Sequence, residues 1–389
     1  MATARQCPHA SAHITLVVLL LAATSLVHAA PVANPTTIDQ DASTTLSGSI
    51  EKHNRGRTWF SSLIHFGDSF TDTGNVYKMT NKTWPLPPPY NNHGRYANGL
   101  MWPEYLSSSL CAPGTKGVPV INFAHGGSTT NDSIIQGYTG AKGDIPSPGI
   151  DKQLDMFAAF LETSVKRNAS LYTRPLFTFM SGFNDIYYDS LGNQLKATPQ
   201  QLATNIMSAV ATIDRLATQF KLERYDIALL GLPPAGRIPA FKRLPSAGAM
   251  FERLAAGMNT EVANRVAVAN AQRHPQRRLT YVNLHAAFTA VMDNPAKFNY
   301  APPARPSEYT TSDACVTTDV ATKEIKICVD PAAHVWWDDY HPTTRTHRVA
   351  AQAIAAAFGE RIGLLPRPKV GAEELEWVIA DGPSNTIRP

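Results

Sequence analysis

Leu63-Ile64-His65-Phe66-Gly67-Asp68-Ser69-Phe70-Thr71-Asp72-Thr73-Gly74 is the stretch that decides the fold: a short, mostly apolar run, then a glycine, then a serine between an acid and an aromatic residue. An apolar run of that length, bounded by a turn residue, reads as a buried strand. The serine then stands where the strand ends, and open α/β sheets bind ligands at the carboxyl ends of their strands. Capping of a following helical turn is the plain alternative for Asp68 and Ser69, since both residue types favour that position.

Outward from this stretch the same pattern repeats. Val118 to Phe123 predicts a second strand ending near Gly126-Gly127, and Leu176 to Met180 a third that ends in Ser181-Gly182-Phe183-Asn184-Asp185. Tyr225 to Leu230 predicts a fourth strand, running into Pro233-Pro234-Ala235-Gly236, and Leu279 to Leu284 a fifth. Apolar spacing predicts helices over 101–110, 150–165, 199–220, 247–272 and 344–358, and the proline-dense 84–90 predicts loop. Strands alternating with long helices indicate a parallel sheet covered on both faces. Every polar motif is expected to follow a strand, so that distant segments converge at one edge of the sheet.

The late segment Trp337-Asp338-Asp339-Tyr340-His341-Pro342 supplies what a serine needs. A free hydroxyl is protonated at neutral pH and becomes a nucleophile only beside a base. His341 can be that base, and Asp338, three residues earlier, can orient its imidazole, with Asp339 as a competitor. Gly127 through its backbone N–H, Asn184 through its amide and Ser69 through its own N–H are candidate oxyanion donors, a role worth about 2.7–4 kcal/mol for each donor. A tight turn and a helix cap are the bland readings of Gly127 and Asn184, and His125 either lines the site or packs. Trp336 and Trp337 read as packing residues.

Residues 1–29 read as a signal peptide: Arg5, an apolar run from Ile14 to Val27, and the small-residue end Val27-His28-Ala29. The run is shorter than the roughly 20 residues that span a bilayer, so no stable membrane insertion is expected. Residues 30–58 read as a flexible lead-in, 59–366 as one folded domain and 367–389 as a C-terminal extension. Asn81, Asn131 and Asn168 begin glycosylation sequons, consistent with a secreted protein. Of four cysteines, Cys7 leaves with the signal. Cys315 and Cys328 are expected to form a disulfide worth about 3 kcal/mol in the chain-entropy model, and Cys111 is left as a buried thiol or an intermolecular bridge. The set lacks the spacing of a zinc site. The formal charge of +4 falls to +3 without the signal, and the only basic cluster is Arg273 to Arg278, so nucleic acid is not an expected partner.

Gly67-Asp68-Ser69, Asn122-Phe123-Ala124-His125-Gly126-Gly127, Gly182-Phe183-Asn184-Asp185 and Asp338-Asp339-Tyr340-His341 resemble, in this order, the four sequence blocks of the GDSL or SGNH hydrolases. The likeness extends from about Leu63 to Phe358. It implies a flavodoxin-like three-layer α/β/α sandwich with a central parallel sheet, and a carboxylic ester hydrolase without a cofactor. Ser69 would be the nucleophile, Asp338 and His341 its triad partners, and Ser69, Gly127 and Asn184 the oxyanion hole. Gly126 precedes Gly127, which leaves open which of them donates. Phe70 replaces the leucine of the family's name. Asp72-Thr73-Gly74-Asn75, Gly94-Arg95-Tyr96-Ala97-Asn98-Gly99 and the Pro233-Pro234 turn look like the secreted fungal branch with acetylesterases and lipase-like acylhydrolases. The implied substrate is an acylated carbohydrate, with lipid esters as the runner-up, acted on by a monomer. An inactive wall-binding protein would need a damaged triad, and none is visible.

Overall fold

β1 (Ser62–Gly67) is buried along all six residues, in a computed structural model that describes residues 60–110, 117–192, 195–300, 311, 313–319 and 324–358. A strand covered on both sides must satisfy two surfaces, because successive side chains point in opposite directions. Phe66 packs one way, with its ring centroid 5.6 Å from Phe123, 5.6 Å from Phe157 and 4.9 Å from Phe179. His65 turns the other way and meets Trp102 edge-on at 4.9 Å. Its Nδ1 pairs with Thr178 Oγ1 at 2.7 Å, and burial pushes the imidazole down to about 3, so it stays neutral in the core.

β2 (Val120–Asn122) and β5 (Pro175–Met180) flank β1. β6 (Tyr225–Leu230) and β7 (Arg277–Val282) extend the sheet beyond β5. All pairings are parallel, in the order β2-β1-β5-β6-β7. Counting only these strands, the order is 2-1-3-4-5, that of flavodoxin-like doubly wound sheets. Helices Ile150–Arg167, Pro199–Gln219 and Pro245–Ala271 form one covering layer, and Trp102–Ser109, Leu284–Asp293 and Thr344–Ala357 form the other. The fold is a three-layer α/β/α sandwich. The chain leaves β1 for β2 on one side and returns to β5 on the other, so the switch point lies at the carboxyl ends of β1, β2 and β5.

Several details depart from the sequence expectations. The fifth sheet strand stops at Val282 rather than Leu284, because Asn283 caps a helix, accepting from Ala286 N at 3.0 Å. An antiparallel hairpin of β3 (Gly137–Thr139) and β4 (Ile145–Ser147) stands where no strand was expected; three-residue strands carry too little periodicity to be read. The acid–histidine loop follows no strand of the sheet. It is reached through a hairpin of β8 (Val316–Thr318) and β9 (Ile325–Ile327), then an isolated bridge at Trp336. Residues 1–29, 30–58 and 367–389, and Cys111, lie outside the described residues.

Candidate active site

The turn after β1 is fixed from inside the protein. Asp68 Oδ1 accepts from Phe70 N at 3.0 Å, and Asp68 O accepts from Thr71 N and Asp72 N at 2.9 Å each. This leaves Ser69 half-buried at the lip of the turn, its backbone N–H without a partner among the described residues. Gln153, fully buried, holds the turn by accepting from Gly67 N and donating to Gly67 O, both at 2.9 Å. Its Nε2 also reaches Ser128 Oγ at 2.8 Å, tying the β1 turn to the loop after β2.

That loop carries the two adjacent glycines, which the structure tells apart. Gly126 N donates to Asp72 Oδ2 at 2.9 Å, whereas Gly127 N has no partner among the described residues and Gly127 lines the cleft beside Ser69. Asp72 is buried and also receives Gly74 N, Asn75 N and Val76 N. Gly127 has φ +85°, and a Cβ there would come 2.0 Å from Tyr138 O, so only glycine fits. A Cβ on Gly126 would meet Tyr96 Oη at 2.1 Å.

Asn184 opens the helix after β5, Phe183–Gly192, which is itself beyond what the spacing predicted. One N–H of its amide donates to Ser128 O at 2.9 Å, and the other has no partner among the described residues. Asp185 turns inward and receives Thr130 N at 2.9 Å and Thr130 Oγ1 at 2.5 Å. Burial pushes Asp185 up to about 7 against those hydrogen bonds, and Asp68 up to about 7 against the Phe70 N–H and His341.

On the opposite lip, Asp338 Oδ1 accepts from Tyr340 N at 2.8 Å and His341 N at 2.7 Å, folding the loop around the carboxylate. Both Asp338 oxygens lie within reach of His341 Nδ1, at 2.9 and 2.8 Å. Burial works to raise Asp338, but His341 and the two backbone N–H groups outweigh it and hold the carboxyl below its ordinary value. An ionised carboxylate can only accept, so Nδ1 carries the proton and Nε2 is left to accept. Ser69 Oγ lies 2.8 Å from His341 Nε2. Asp339 faces away and pairs with Arg243 at 2.6 Å. Trp336 and Trp337 are buried, and Trp337 Nε1 donates to Tyr90 O at 2.7 Å, fastening the loop to the proline-rich segment. His125 is buried against Phe123 O and does not line the cleft.

A family model described as GDSL-like Lipase/Acylhydrolase matches residues 63–354, most of the chain. The chain belongs to that family. It is therefore a carboxylic ester hydrolase of the GDSL type. The acetylesterase of Thermothelomyces thermophilus is 26% identical over 313 residues, covering 76% of this chain and 87% of that protein. The thermolabile hemolysin of Vibrio parahaemolyticus is 24% identical over 298 residues, 75% of this chain, and the match spans 62% of the hemolysin's length. Among solved structures, an arylesterase-like protein from Agrobacterium tumefaciens aligns with a TM-score of 0.42 at 15% identity, over 78% of this chain and all of that one.

In this GDSL hydrolase the structure brings Ser69, His341, Asp338, Gly127 and Asn184 to one cleft. Sequence reasoning missed the residues beneath them: Asp72, Gln153 and Asp185 are buried polar groups whose role shows only in their hydrogen bonds. Asp72 and Asp185 stand inside motifs that the sequence displays, whereas nothing in the sequence marks Gln153. Cys315 and Cys328 form the expected disulfide. His334 is the only further His, Cys, Asp or Glu grouped with them among the described residues, and both sulfurs are bonded to each other, so neither is a thiolate ligand. Asn81 and Asn168 are exposed; Asn131 is half-buried, its Oδ1 accepting from Ser133 N at 3.0 Å. Among the described residues no helix is long and apolar enough to cross a membrane.

Proposed function

We propose that this hydrolase cleaves short-chain esters, foremost acetyl groups on carbohydrate, through an acyl-enzyme on Ser69. His341 Nε2 takes the proton as Ser69 Oγ attacks the ester carbonyl, and Asp338 stabilises the imidazolium. The N–H groups of Ser69 and Gly127 and the free N–H of Asn184 receive the oxyanion; Gly126, already committed to Asp72, does not. The alcohol leaves with the proton from His341, and water then attacks the acyl carbonyl as His341 takes one of its protons. The 2.8 Å contact between Ser69 and an imidazole oriented by Asp338 is the observation that carries this reading.

The acyl preference rests on size. The cleft, open to solvent on one side, holds about 230 Å³, small beside the roughly 300–1,000 Å³ of sites for drug-sized ligands. A long acyl chain together with its alcohol would extend out of it, whereas an acetyl group leaves most of the space to the alcohol. The similarity to an acetylesterase points the same way. The reading extends to a secreted, monomeric protein with residues 1–29 as signal, 59–366 as the catalytic domain and sugars on the sequons, supported by the disulfide, which suits an oxidising compartment. Ser69→Ala is expected to abolish turnover of p-nitrophenyl acetate without lowering the melting temperature. Residual turnover within tenfold of wild type would refute the assignment. A series from acetate to palmitate is expected to peak at acetate, and a maximum at eight carbons or longer would favour lipid esters instead.

A further inference from the structure

Half of the residues lining the cleft are aromatic, and among the described lining residues Ile238 is the single aliphatic side chain and none is Lys or Arg. Such a wall holds no cation for an anionic headgroup, and its tyrosines suit a ligand that is itself partly apolar and partly polar. Along one side the rings form a chain. Tyr138 meets Tyr188 at 5.8 Å and 70°, Tyr188 meets Tyr187 at 5.2 Å and 77°, and Tyr187 meets Tyr340 at 6.5 Å and 74°. Each crossing is near a right angle, so edges support faces and the rings hold one another upright. Tyr340 in turn rests against Phe241 at 6.0 Å.

The tyrosine hydroxyls sharpen the point. Tyr188 Oη donates to Tyr138 O at 2.8 Å, but the hydroxyls of Tyr138, Tyr187 and Tyr340 have no hydrogen-bond partner among the described residues. Tyr138 and Tyr340 remain 37% and 42% exposed, a large share for aromatic rings beside a cleft. A phenol offers an apolar face and a polar edge, and a hydroxyl open to the cleft is free to pair with a ligand. The ligand that satisfies both is one with a C–H face and hydroxyls around its rim.

We infer that Tyr138, Tyr187 and Tyr340 form a subsite for a neutral sugar ring, the alcohol half of the ester, stacked by its C–H face and held at its rim by the phenols. The inference rests on the proposed attack of Ser69 on the ester. In that step the bond from the acyl carbon to the sugar oxygen breaks, and the sugar leaves as its free hydroxyl with the proton from His341.

The test compares kcat/KM for methyl 2-O-acetyl-β-xylopyranoside with kcat/KM for hexyl acetate and phenyl acetate. Wild type is expected to favour the sugar ester over both. Tyr187→Ala/Tyr340→Ala is expected to lower the sugar-to-hexyl ratio by roughly tenfold, chiefly through KM, and Tyr187→Phe/Tyr340→Phe by about threefold, because the rings remain while the hydrogen bonds are lost. A ratio within twofold of wild type in both variants, or a wild type that prefers hexyl or phenyl acetate, overturns the subsite. If the alanine pair does not fold, the phenylalanine pair and the wild-type preference decide. Labelling of Ser69 by a fluorophosphonate, followed in every protein, keeps the two claims apart. Unlabelled wild type sinks the nucleophile assignment, and labelled protein with unmoved ratios sinks only the sugar subsite.

Discussion

The two lips of the cleft are built in different ways. Ser69, Gly127 and Asn184 stand at the ends of three neighbouring parallel strands, and buried polar side chains lock these ends to one another: Asp72 joins the β1 turn to Gly126, Gln153 joins it to Ser128, and Asp185 grips Thr130. Asp338 and His341 stand on a loop outside the sheet, held by local hydrogen bonds and by what precedes it. Cys315 N donates to Trp336 O at 3.1 Å, and the disulfide closes the hairpin behind that contact. The two lips show that distant groups can be brought to one meeting point by different means. One half takes rigidity from the core, and the other takes it from a cross-link and a folded loop.

The contrast can be broken first on the sheet side. Asn184→Ala is expected to cost about 10²–10³ in kcat on p-nitrophenyl acetate, near the value of one oxyanion donor, with little change in KM. A loss below threefold would overturn the oxyanion role proposed for Asn184. On the loop side, Cys315→Ser/Cys328→Ser is expected to cost about 3 kcal/mol of stability by denaturant unfolding, the entropy of a loop 13 residues apart in sequence. If the hairpin is what steadies His341, kcat falls as well under conditions where the variant is folded; unchanged kcat would show that the loop holds its own geometry.

Per pH unit, the smallest expected effect is one the two halves share. Each has a buried histidine, His65 on β1 and His347 in the helix after the loop, and burial holds both at about 3, His347 with help from His341. Between pH 6.5 and 3 the unfolded chain therefore binds protons that the native protein refuses. Stability rises with pH across that window and is lost on acidification, by about 1.4 kcal/mol per pH unit for each histidine. His65→Gln and His347→Gln are each expected to remove one such increment from the slope of melting stability against pH. A slope that neither variant changes would mean that other groups set the acid limit.

Much of this was legible in the chain because it is encoded locally. The five sheet strands show as short apolar runs, the long helices as 3.6-residue spacing, and three of the four site motifs as glycines and polar residues placed just after strands. The β3–β4 hairpin was not legible, since three-residue strands leave no period to read, and the helices Phe183–Gly192 and Leu284–Asp293 were not read from the sequence either. The choice between Asp338 and Asp339 was not legible from residue type and spacing, and Asp338 was expected only through the family resemblance. Both are adjacent carboxylates in the sequence, and only the fold turns one toward His341 and the other toward Arg243.

What the sequence determined by itself is the class of architecture and the kinds of group available for chemistry, because strand, helix and turn preferences act between near neighbours along the chain. What only the tertiary structure decided is which groups meet. Gly127 rather than Gly126 keeps an unpaired N–H, and Ser69 lies against an imidazole 272 residues away, because a hydrogen-bond partner is chosen by position in space after packing has fixed it.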